Sequence, residues 1–297
     1  MHVAITGSRG LIGSELTAVL TADGHQVTQI TRSQPQSGDI VWDPQQGKLD
    51  HTALEGIDGV VHLAGEGIAA RRWSDKQKDR IRDSRVQGTR LLCERLAAMQ
   101  RPPDVIVSAS AIGFYGDRGD ETLSESSDRG AGFLAEVAQQ WEDSTQPASD
   151  AGIRVVHLRF GVVLSPHGGA LAKMLTPFRL GGGGPVGKGN QYWSWISVDD
   201  ATSATLHALT TDSLSGAVNA VGPTPATNRD FTKTLGRVLS RPTIVPMPGF
   251  MARLLLGEMA DELLLSSTRV LPQRLLDTGF TFRHPDLDGA LRHLLGR

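Results

Sequence analysis

Residues 3–13 read Val3-Ala4-Ile5-Thr6-Gly7-Ser8-Arg9-Gly10-Leu11-Ile12-Gly13 and predict a strand, a glycine-rich turn and a helix that runs to about residue 21. In this pattern Gly7 permits a tight turn, Gly10 lets a pyrophosphate approach the backbone, and Gly13 lets the helix pack closely on the strand. The first N–H groups and the dipole of the helix favour a phosphate. The predicted dinucleotide contacts in the turn are Gly7, Ser8, Arg9, Gly10, Leu11, Ile12 and Gly13.

The end of the second predicted strand indicates which dinucleotide the turn would take. A site for NAD usually carries an Asp or Glu there, which accepts a hydrogen bond from the ribose 2′-hydroxyl. Here the strand at 26–30 is followed by Thr31-Arg32, and no acid stands at this position. The guanidinium of Arg32 suits a 2′-phosphate, and Arg9 adds a second positive charge beside the same pocket. The sequence therefore favours NADP, with two solvated surface arginines as the alternative.

Short apolar strands alternate with helical patterns along the first half of the chain. Beyond the first strand and helix, strands are predicted at 26–30, 39–42, 59–64, 104–109 and 154–159, and helices at 74–98 and 132–149. Ser74 and Gln77 form a predicted capping box at the start of the longer helix. Near-continuous apolar strands separated by helices indicate a parallel sheet covered on both faces. The predicted fold class is therefore α/β, a doubly wound parallel sheet of the Rossmann type with a smaller, partly interleaved C-terminal domain.

The rhythm of strands and helices changes after about residue 161, which suggests two domains. We predict an NAD(P)-binding Rossmann domain at 1–165 and a smaller substrate domain at 166–297. Residues 195–222 are predicted to return to the Rossmann domain, and 245–295 to form a C-terminal module around a short strand at 280–282. The glycine-rich segment 181–189 is a predicted loop, and loops on α/β scaffolds often carry ligand contacts.

The composition excludes several classes of protein. With 30 Lys+Arg against 32 Asp+Glu the formal net charge is −2, so the chain lacks the basic excess that nucleic-acid binding needs. No apolar run approaches the roughly 18 residues of a membrane span, and the N-terminus lacks the regions of a signal peptide. A single cysteine, Cys93, excludes a disulfide framework. We therefore expect a cytoplasmic protein with a small-molecule substrate and no nucleic-acid or membrane partner.

Five stretches give the chain its resemblance to a known family. They are ITGSRGLIG at 5–13, HLAGE at 62–66, SASAIGFYG at 108–116, the run from 159 to 200, and LGEMA at 256–260 with GFTF at 279–282. On these stretches the chain resembles the extended short-chain dehydrogenase/reductase superfamily. More narrowly, it resembles the atypical nucleoside-diphosphate-sugar epimerase-like branch, the SulA-type epimerase-family proteins. The resemblance implies an NAD(P)-binding fold, usually with NADP, and a small C-terminal module.

The same resemblance implies further cofactor contacts. In the superfamily the segment after the fourth strand runs beside the cofactor. Leu63, Ala64 and Gly65 match that place, and Glu66 at its exit is a candidate acceptor from a ribose hydroxyl, with a solvated loop carboxylate as the alternative. Ser108 on the fifth predicted strand completes the far half of the predicted cofactor site.

The catalytic residues of the superfamily match only in part. The superfamily uses a Ser that polarises the substrate oxygen, a Tyr that transfers the proton and a Lys that lowers the pKa of the Tyr. Ser110 matches the serine, but the Tyr-x-x-x-Lys pair falls on Phe133 and Val137, which transfer no proton. Either Tyr115 is a relocated acid, or another group does the proton work, or the protein binds NADP without turnover. The other candidate groups are Glu136, Glu142, Asp199 and His157.

The favoured function is an NADP-binding oxidoreductase or epimerase-like protein that acts on a small carbonyl or hydroxyl compound, with a nucleotide-sugar as one candidate. Ser110 and Tyr115 are the predicted catalytic residues. A non-catalytic NADP-binding regulatory or cofactor-sensing protein is the alternative. No metal site is predicted, because the sequence has no His-x-x-x-His or Cys-x-x-Cys motif. The leucine runs at 254–256 and 263–265 indicate buried helix faces or an oligomer contact, which leaves a homodimer open.

Overall fold

The computed structural model describes residues 1–32 and 35–297. The strands are β1 His2–Thr6, β2 Gln26–Thr31, β3 Ile40–Asp43, β4 Lys48–Leu49, β5 Gly59–His62, β6 Val105–Ala111, β7 Thr122–Leu123, β8 Arg154–Phe160, β9 Val162–Ser165, β10 Tyr192–Trp193, β11 Trp195–Ser197, β12 Gly216–Ala220, β13 Ala226–Thr227 and β14 Arg269–Val270. The α-helices are α1 Leu11–Ala22, α2 Asp75–Ala97, α3 Phe133–Asp143, α4 Gln146–Asp150, α5 Gly169–Arg179, α6 Val198–Thr210, α7 Asn228–Leu239, α8 Gly249–Leu256, α9 Glu258–Ala260, α10 Gln273–Asp277 and α11 Leu287–Leu295. Short helical turns of other types lie at His51–Leu54, Ile112–Tyr115 and Asp261–Leu265.

One large sheet organises the fold. Its eight strands run in the order β12-β8-β6-β5-β1-β2-β3-β4, and every neighbouring pair except β3 and β4 is parallel. The order reverses beside β1, so the carboxyl ends of β1 and β5 flank a crevice of the kind in which such sheets bind ligands. The predicted doubly wound α/β fold is confirmed.

Successive residues of each strand point to opposite faces of the sheet. Val3 and Ile5 of β1 belong to a buried cluster with Leu16 of α1 and with small residues of α6. Ala4 of the same strand belongs to a cluster on the other face, together with Leu92 of α2 and Ala148 of α4. We call this second side of the sheet the α2 face. Burial of apolar area at about 25 cal/mol per Å² on both faces is the main stabilising contribution.

A further hydrophobic cluster lies in the C-terminal half. It is built by α5, α7 and α11, which contribute Leu171, Phe231 and Leu291 among others. Two-stranded pairings outside the large sheet connect this half with earlier segments of the chain, since β11 pairs with β9 and β14 pairs with β7. The segment that carries β14 therefore returns to β7, in the N-terminal half of the chain. The domain boundaries given above remain predictions.

Several local predictions differ from the structure. The helix predicted at 132–149 is two helices, α3 and α4, because Pro147 in the first turn of α4 has no N–H with which to continue a helix. The strand predicted at 280–282 is wrong within the described range 35–297, where these residues form no strand. Instead, the rings of Phe280 and Phe282 pack edge to face at 4.8 Å and contact the core. The side chain of Ser74 caps α2 as predicted, but the side chain of Gln77 turns to Glu66.

Large apolar side chains remain exposed on α8 and the segment before it. Leu254 and Leu255 are 73% and 60% exposed, and Ile244 and Phe250 are exposed beside them. The interpretation of the 254–256 run as a buried helix face is therefore wrong for these two leucines. The homodimer stays a prediction. In residues 1–32 and 35–297 no helix combines the length and apolar character needed to cross a bilayer.

Candidate functional site

The glycine turn between β1 and α1 brings the chain close to itself at two of its three glycines. Gly7 adopts a φ of +68°, and a Cβ added there would lie 2.9 Å from the carbonyl carbon of Leu63. A Cβ on Gly13 would overlap the carbonyl oxygen of Gly7. Gly10, by contrast, has an ordinary extended backbone, and its N–H donates to Gly7 O at 2.9 Å. Gly7 and Gly13 are therefore required by the fold, whereas Gly10 keeps the surface of the turn open.

The first turn of α1 provides the N–H groups of the predicted phosphate site. Gly10 is the N-cap, so the N–H groups of Leu11, Ile12 and Gly13 have no partner one turn earlier in the helix. Ile12 packs against the core, and the Leu11 side chain points to the backbone at Gly168. These residues thus offer backbone N–H groups to a ligand rather than polar side chains.

Ser8 and Arg9 in the turn have partners of their own. The Ser8 hydroxyl donates to Gln29 Oε1 at 2.7 Å, which ties the turn to β2. Arg9 Nη2 lies 3.9 Å from the carboxylate of Asp39, and 47% of the Arg9 side chain is exposed. Arg32, at the end of β2, is exposed. A phosphate bound by Arg9 would compete with Asp39, a neighbour that the sequence did not reveal.

The predicted far half of the cofactor site is held by α2. The backbone N–H of Glu66 donates to Ser84 Oγ at 3.0 Å, and the Glu66 carbonyl accepts from Arg85 Nη1 at 3.0 Å. A Cβ on Gly65 would lie 3.4 Å from the guanidinium carbon of Arg85, which also sits 5.0 Å from the ring centre of Trp141. Burial lowers the pKa of Arg85 to about 10, so it stays charged at neutral pH.

A buried polar chain supports the loop that begins at Leu63. Thr6 Oγ1 accepts hydrogen bonds from the N–H groups of Leu63 and Ala64 and lies 2.7 Å from His62 Nδ1. His62 Nε2 lies 2.9 Å from Thr89 Oγ1, which accepts from the indole of Trp141. Because both acceptor sites of the Thr6 oxygen are filled, its hydroxyl donates to Nδ1, and the proton of the ring is on Nε2.

Burial lowers the pKa of His62 to about 4, so this ring is neutral at neutral pH. Ser108 lies on β6 in register with His62 and is also buried. Its hydroxyl donates to the Ala109 carbonyl at 3.3 Å. Both side chains are buried, and of the two His62 is the one that contacts Thr6, which holds the loop at Leu63.

The structure brings Ser110 and Tyr115 into one buried network. Ser110, Arg159 and Asn219 are neighbours in register on β6, β8 and β12, and all lie on the α2 face. The Ser110 hydroxyl donates to Glu142 Oε1 at 2.6 Å. Arg159 donates to both oxygens of Glu142 at 2.8 and 2.7 Å and, through Nη1, to the Tyr115 hydroxyl at 3.0 Å.

Tyr115 completes this network from the end of β6. Its hydroxyl donates to Asn219 Oδ1 at 2.8 Å, and its side chain is fully buried. Burial raises the pKa of Tyr115, against the opposing charge of Arg159. Burial works to lower the pKa of Arg159, but contacts with Glu142 and Tyr115 outweigh it and raise that pKa. The role of Tyr115 as acid stays a prediction, and it requires the contacts of its hydroxyl to open.

The positions expected for the Tyr and Lys of the superfamily are the start and middle of α3. Phe133 packs edge to face on Trp73 with ring centres 5.2 Å apart, and Lys78 Nζ lies 4.8 Å from the centre of the same ring. Val137 is buried. The carboxylate of Glu262, from the C-terminal region, accepts from the backbone N–H of Phe133 at 3.2 Å.

Glu262 is a titratable partner of this turn, and burial raises its pKa. A second contact reaches the same C-terminal region from α2, since Lys78 Nζ donates to Glu258 at 2.8 Å. Of the other proton-transfer candidates, Glu136 is exposed, and His157 lies 2.9 Å from Thr145 with its pKa lowered by burial. Asp199 pairs with His293 at 3.5 Å. None of these three contacts Ser110 or Tyr115 in the described interactions.

Sequence reasoning missed several residues of the site, and two of them left a signal. Arg159 is a charged residue within the apolar run of β8, and a buried charge must be paired. Arg85 similarly interrupts the side of α2 that covers the sheet. Asn219, Glu262 and Asp39 come from distant segments, and no local pattern identifies them.

The chain is similar to known proteins over nearly its whole length. Residues 3–222 match the model of the NAD dependent epimerase/dehydratase family, and residues 247–294 match a domain of unknown function. An epimerase family protein of Mycobacterium tuberculosis is 44% identical over 99% of this chain and 98% of its own length. The human epimerase family protein SDR39U1 is 36% identical over 99% of this chain and 100% of its own length. A crystal structure of the human protein with NADPH superposes with a TM-score of 0.92 at 34% identity, covering 100% of this chain and 99% of that one.

Proposed function

This chain belongs to the NAD dependent epimerase/dehydratase family, and from that membership we propose an NADPH-dependent oxidoreductase or epimerase-like enzyme acting on a small carbonyl or hydroxyl compound. The membership confirms the resemblance predicted from the sequence, together with its C-terminal module. The observation that carries the proposal is the turn at Gly7, Gly10 and Gly13, where Gly10 is exposed and the first N–H groups of α1 have no partner within the helix.

The residues of this chain fit a dinucleotide phosphate. In the proposal, the N–H groups of Leu11, Ile12 and Gly13 bind the pyrophosphate, because a helix N-terminus offers both donors and positive potential. The loop at Leu63 and Gly65 lines the far half, fixed from behind by Thr6 and α2. When bound, the nicotinamide supplies hydride-transfer chemistry.

The choice of NADP over NAD rests on charge. Arg32 and Arg9 offer guanidinium groups where an NAD site offers an acid, and planar guanidinium forks suit phosphate. Asp39 is the competing group, because its carboxylate lies 3.9 Å from Arg9. The crystal structure of the human relative with NADPH supports the same assignment.

Ser110 and Tyr115 remain the proposed catalytic side chains. Ser110 stands near the carboxyl end of β6, the edge at which such sheets bind ligands. To polarise a substrate oxygen, its hydroxyl would have to turn its proton away from Glu142. Arg159 and Glu142 then act as positioning residues, which hold Ser110 and Tyr115 in a fixed relation.

A second candidate is a non-catalytic NADPH-binding protein. Two observations favour it: Phe133 and Val137 stand where the superfamily carries its Tyr and Lys, and the Tyr115 hydroxyl is enclosed by Asn219 and Arg159. The two candidates share the cofactor site and differ only in turnover.

The cofactor site is tested by titrating the full chain with NADPH and with NADH. We expect the wild type to bind NADPH more tightly than NADH. Gly10→Ala should lower the affinity for NADPH about tenfold or more, which corresponds to about 1.4 kcal/mol. The backbone at Gly10 accepts any residue, and the added Cβ would lie 3.1 Å from Gly7 O. Gly289→Ala, in the first turn of α11, is a matched control, since its Cβ would lie 3.1 Å from Oδ2 of Asp286. Equal binding by Gly10→Ala and wild type would contradict the proposed phosphate site.

Turnover separates the enzyme from the binding protein. Oxidation of NADPH by a small carbonyl compound, reduction of NADP⁺ by a hydroxyl compound, or epimerisation of a nucleotide-sugar with no net change of the cofactor supports the enzyme. Tight NADPH binding with no turnover of any of these compounds supports the regulatory alternative.

A further inference from the structure

Three side chains with metal-ligating atoms meet on the surface between α6 and α11. Asp199 stands in the first turn of α6, His284 in the segment before α11, and His293 in the last turn of α11. One ligand atom from each lies within 4.8 Å of those of the other two. The segments are far apart in the chain, so a search for local His-x-x-x-His motifs does not detect them.

The spacing fits a small divalent ion. Two ligand atoms at about 2.1 Å from one Zn²⁺ are about 3.4 Å apart at the tetrahedral angle. His293 Nε2 and Asp199 Oδ2 already lie 3.5 Å apart. No two of the three ligand atoms are more than 4.8 Å apart, so binding would close any pair by at most about 1.4 Å, and exposed side chains change rotamer readily. The His293 side chain is 51% exposed, so it is free to make this movement and an ion can reach it.

The backbone beneath the cluster is held firmly. The carboxylate of Asp200 is fully buried and accepts from the N–H groups of Arg283 at 2.7 Å and His284 at 3.1 Å. Ser197 Oγ donates to the same carboxylate at 2.9 Å. The segment that carries His284 is thereby fixed to the start of α6, beside Asp199. The rings of His284 and His293 stack with centres 4.2 Å apart, at an angle of 25°.

We propose that Asp199, His284 and His293 bind one Zn²⁺ ion, with water in the remaining position. Two imidazoles and one carboxylate form a ligand set that zinc uses in proteins. Imidazole nitrogens favour Zn²⁺ over Mg²⁺ and Ca²⁺, which prefer oxygen ligands. The ion would join the last helix of the chain to the helix that follows β11, and it would stabilise the native state through its binding.

An ion pair between Asp199 and His293, with His284 stacked beside it, is the competing interpretation. It accounts for the 3.5 Å contact of His293 with Asp199 but gives no part to His284 beyond ring stacking. The two interpretations differ in whether His284→Ala changes metal affinity, and this difference sets the experiment.

The test is a calorimetric titration of the untagged full chain with zinc sulfate in a buffer that does not chelate metals. We expect one Zn²⁺ per chain. Loss of an outer-shell partner typically weakens metal binding about 10- to 100-fold, so His284→Ala and His293→Ala, which remove direct ligands, should weaken it at least tenfold. Asp199→Asn, which keeps the shape of the side chain, should weaken it as well. His51→Ala, in the turn at His51–Leu54, is the control and should bind as wild type does.

A second measurement does not depend on calorimetry. Zinc should raise the melting temperature of the wild-type chain and slow amide hydrogen exchange in α11, and neither effect should appear in His284→Ala. Absence of saturable zinc binding in the wild type overturns the proposal. So does equal affinity in the wild type and in both histidine variants, because the ion would then bind elsewhere.

Discussion

Arg159 and Glu142 form a buried, two-pronged ion pair that joins Ser110 to Tyr115. The carboxylate accepts from Nε and Nη2 of Arg159 and from the Ser110 hydroxyl, while Nη1 reaches the hydroxyl of Tyr115. The side chains of the pair are 5% and 9% exposed. The two predicted catalytic residues are thus parts of one unit, and a change in any member should affect the others.

Removal of Glu142 should destabilise the protein strongly. Glu142→Ala leaves the Arg159 charge buried without its partner, and such losses cost about 3–5 kcal/mol. The measurement is the free energy of unfolding in urea. Glu94→Ala removes the exposed partner of Arg90 and, as a control, should cost less than about 1 kcal/mol. Similar losses of unfolding free energy in the two variants would show that the buried pair stabilises the protein no more than the exposed pair does.

Tyr115→Phe separates a positioning role from a role as acid. The variant leaves Asn219 Oδ1 and one N–H of Arg159 without the hydroxyl, which should cost about 1–3 kcal/mol of stability. A proton-transfer role adds a loss of about 10²–10⁴-fold in turnover on any substrate found. Turnover close to that of the wild type, measured below the melting temperature of the variant, would rule out Tyr115 as the acid.

Arg32→Ala should weaken the preference for NADPH. A hydrogen-bonded charge contributes about 1.5–3 kcal/mol, so NADPH affinity should fall about 10- to 100-fold while NADH affinity stays nearly constant. The ratio of the two dissociation constants is the quantity to measure. Arg90→Ala, exposed on α2, serves as the matched control. A variant that kept the NADPH preference would remove Arg32 from the proposed 2′-phosphate site.

His62 should make the protein sensitive to acid. Its pKa in the folded state is about 4 against 6.5 for the free side chain, so between these values the unfolded state binds more protons. Stability therefore falls as the pH drops from about 6.5 to about 4, by up to about 3 kcal/mol from this group. The free energy of unfolding in urea, measured at several pH values across this range, should depend less steeply on pH in His62→Gln than in the wild type. His51→Gln is the control. An equal decrease in the pH dependence of stability in that variant would assign the effect to histidines in general.

The elements that the sequence predicted well are those set by local rules. The turn at Gly7 and Gly13 follows from sterics within one segment, and the helix cap at Ser74 follows from a hydrogen bond over three residues. The alternation of apolar strands and helices then fixes the doubly wound sheet. Each of these depends on residues close together in the chain.

The parts that the sequence did not predict depend on distant partners. Whether Ser110 faces a cleft or a carboxylate is decided by Glu142 on α3 and Arg159 on β8. Whether Phe280 and Phe282 form a strand depends on a free strand edge beside them, and the fold packs their rings on the core instead. No pattern within one segment contains this information.

Consecutive residues of α3 serve two separate networks. The indole of Trp141 donates to Thr89, in the chain that supports the loop after β5, and the carboxylate of Glu142 accepts from Arg159 and Ser110. Each residue of a helix advances by about 100° around the axis. A single insertion or deletion early in α3 would therefore rotate both side chains away from their partners at once. A change of side-chain rotamer could not restore either hydrogen bond. The length of this helix is for that reason under tighter constraint than the identity of its exposed residues.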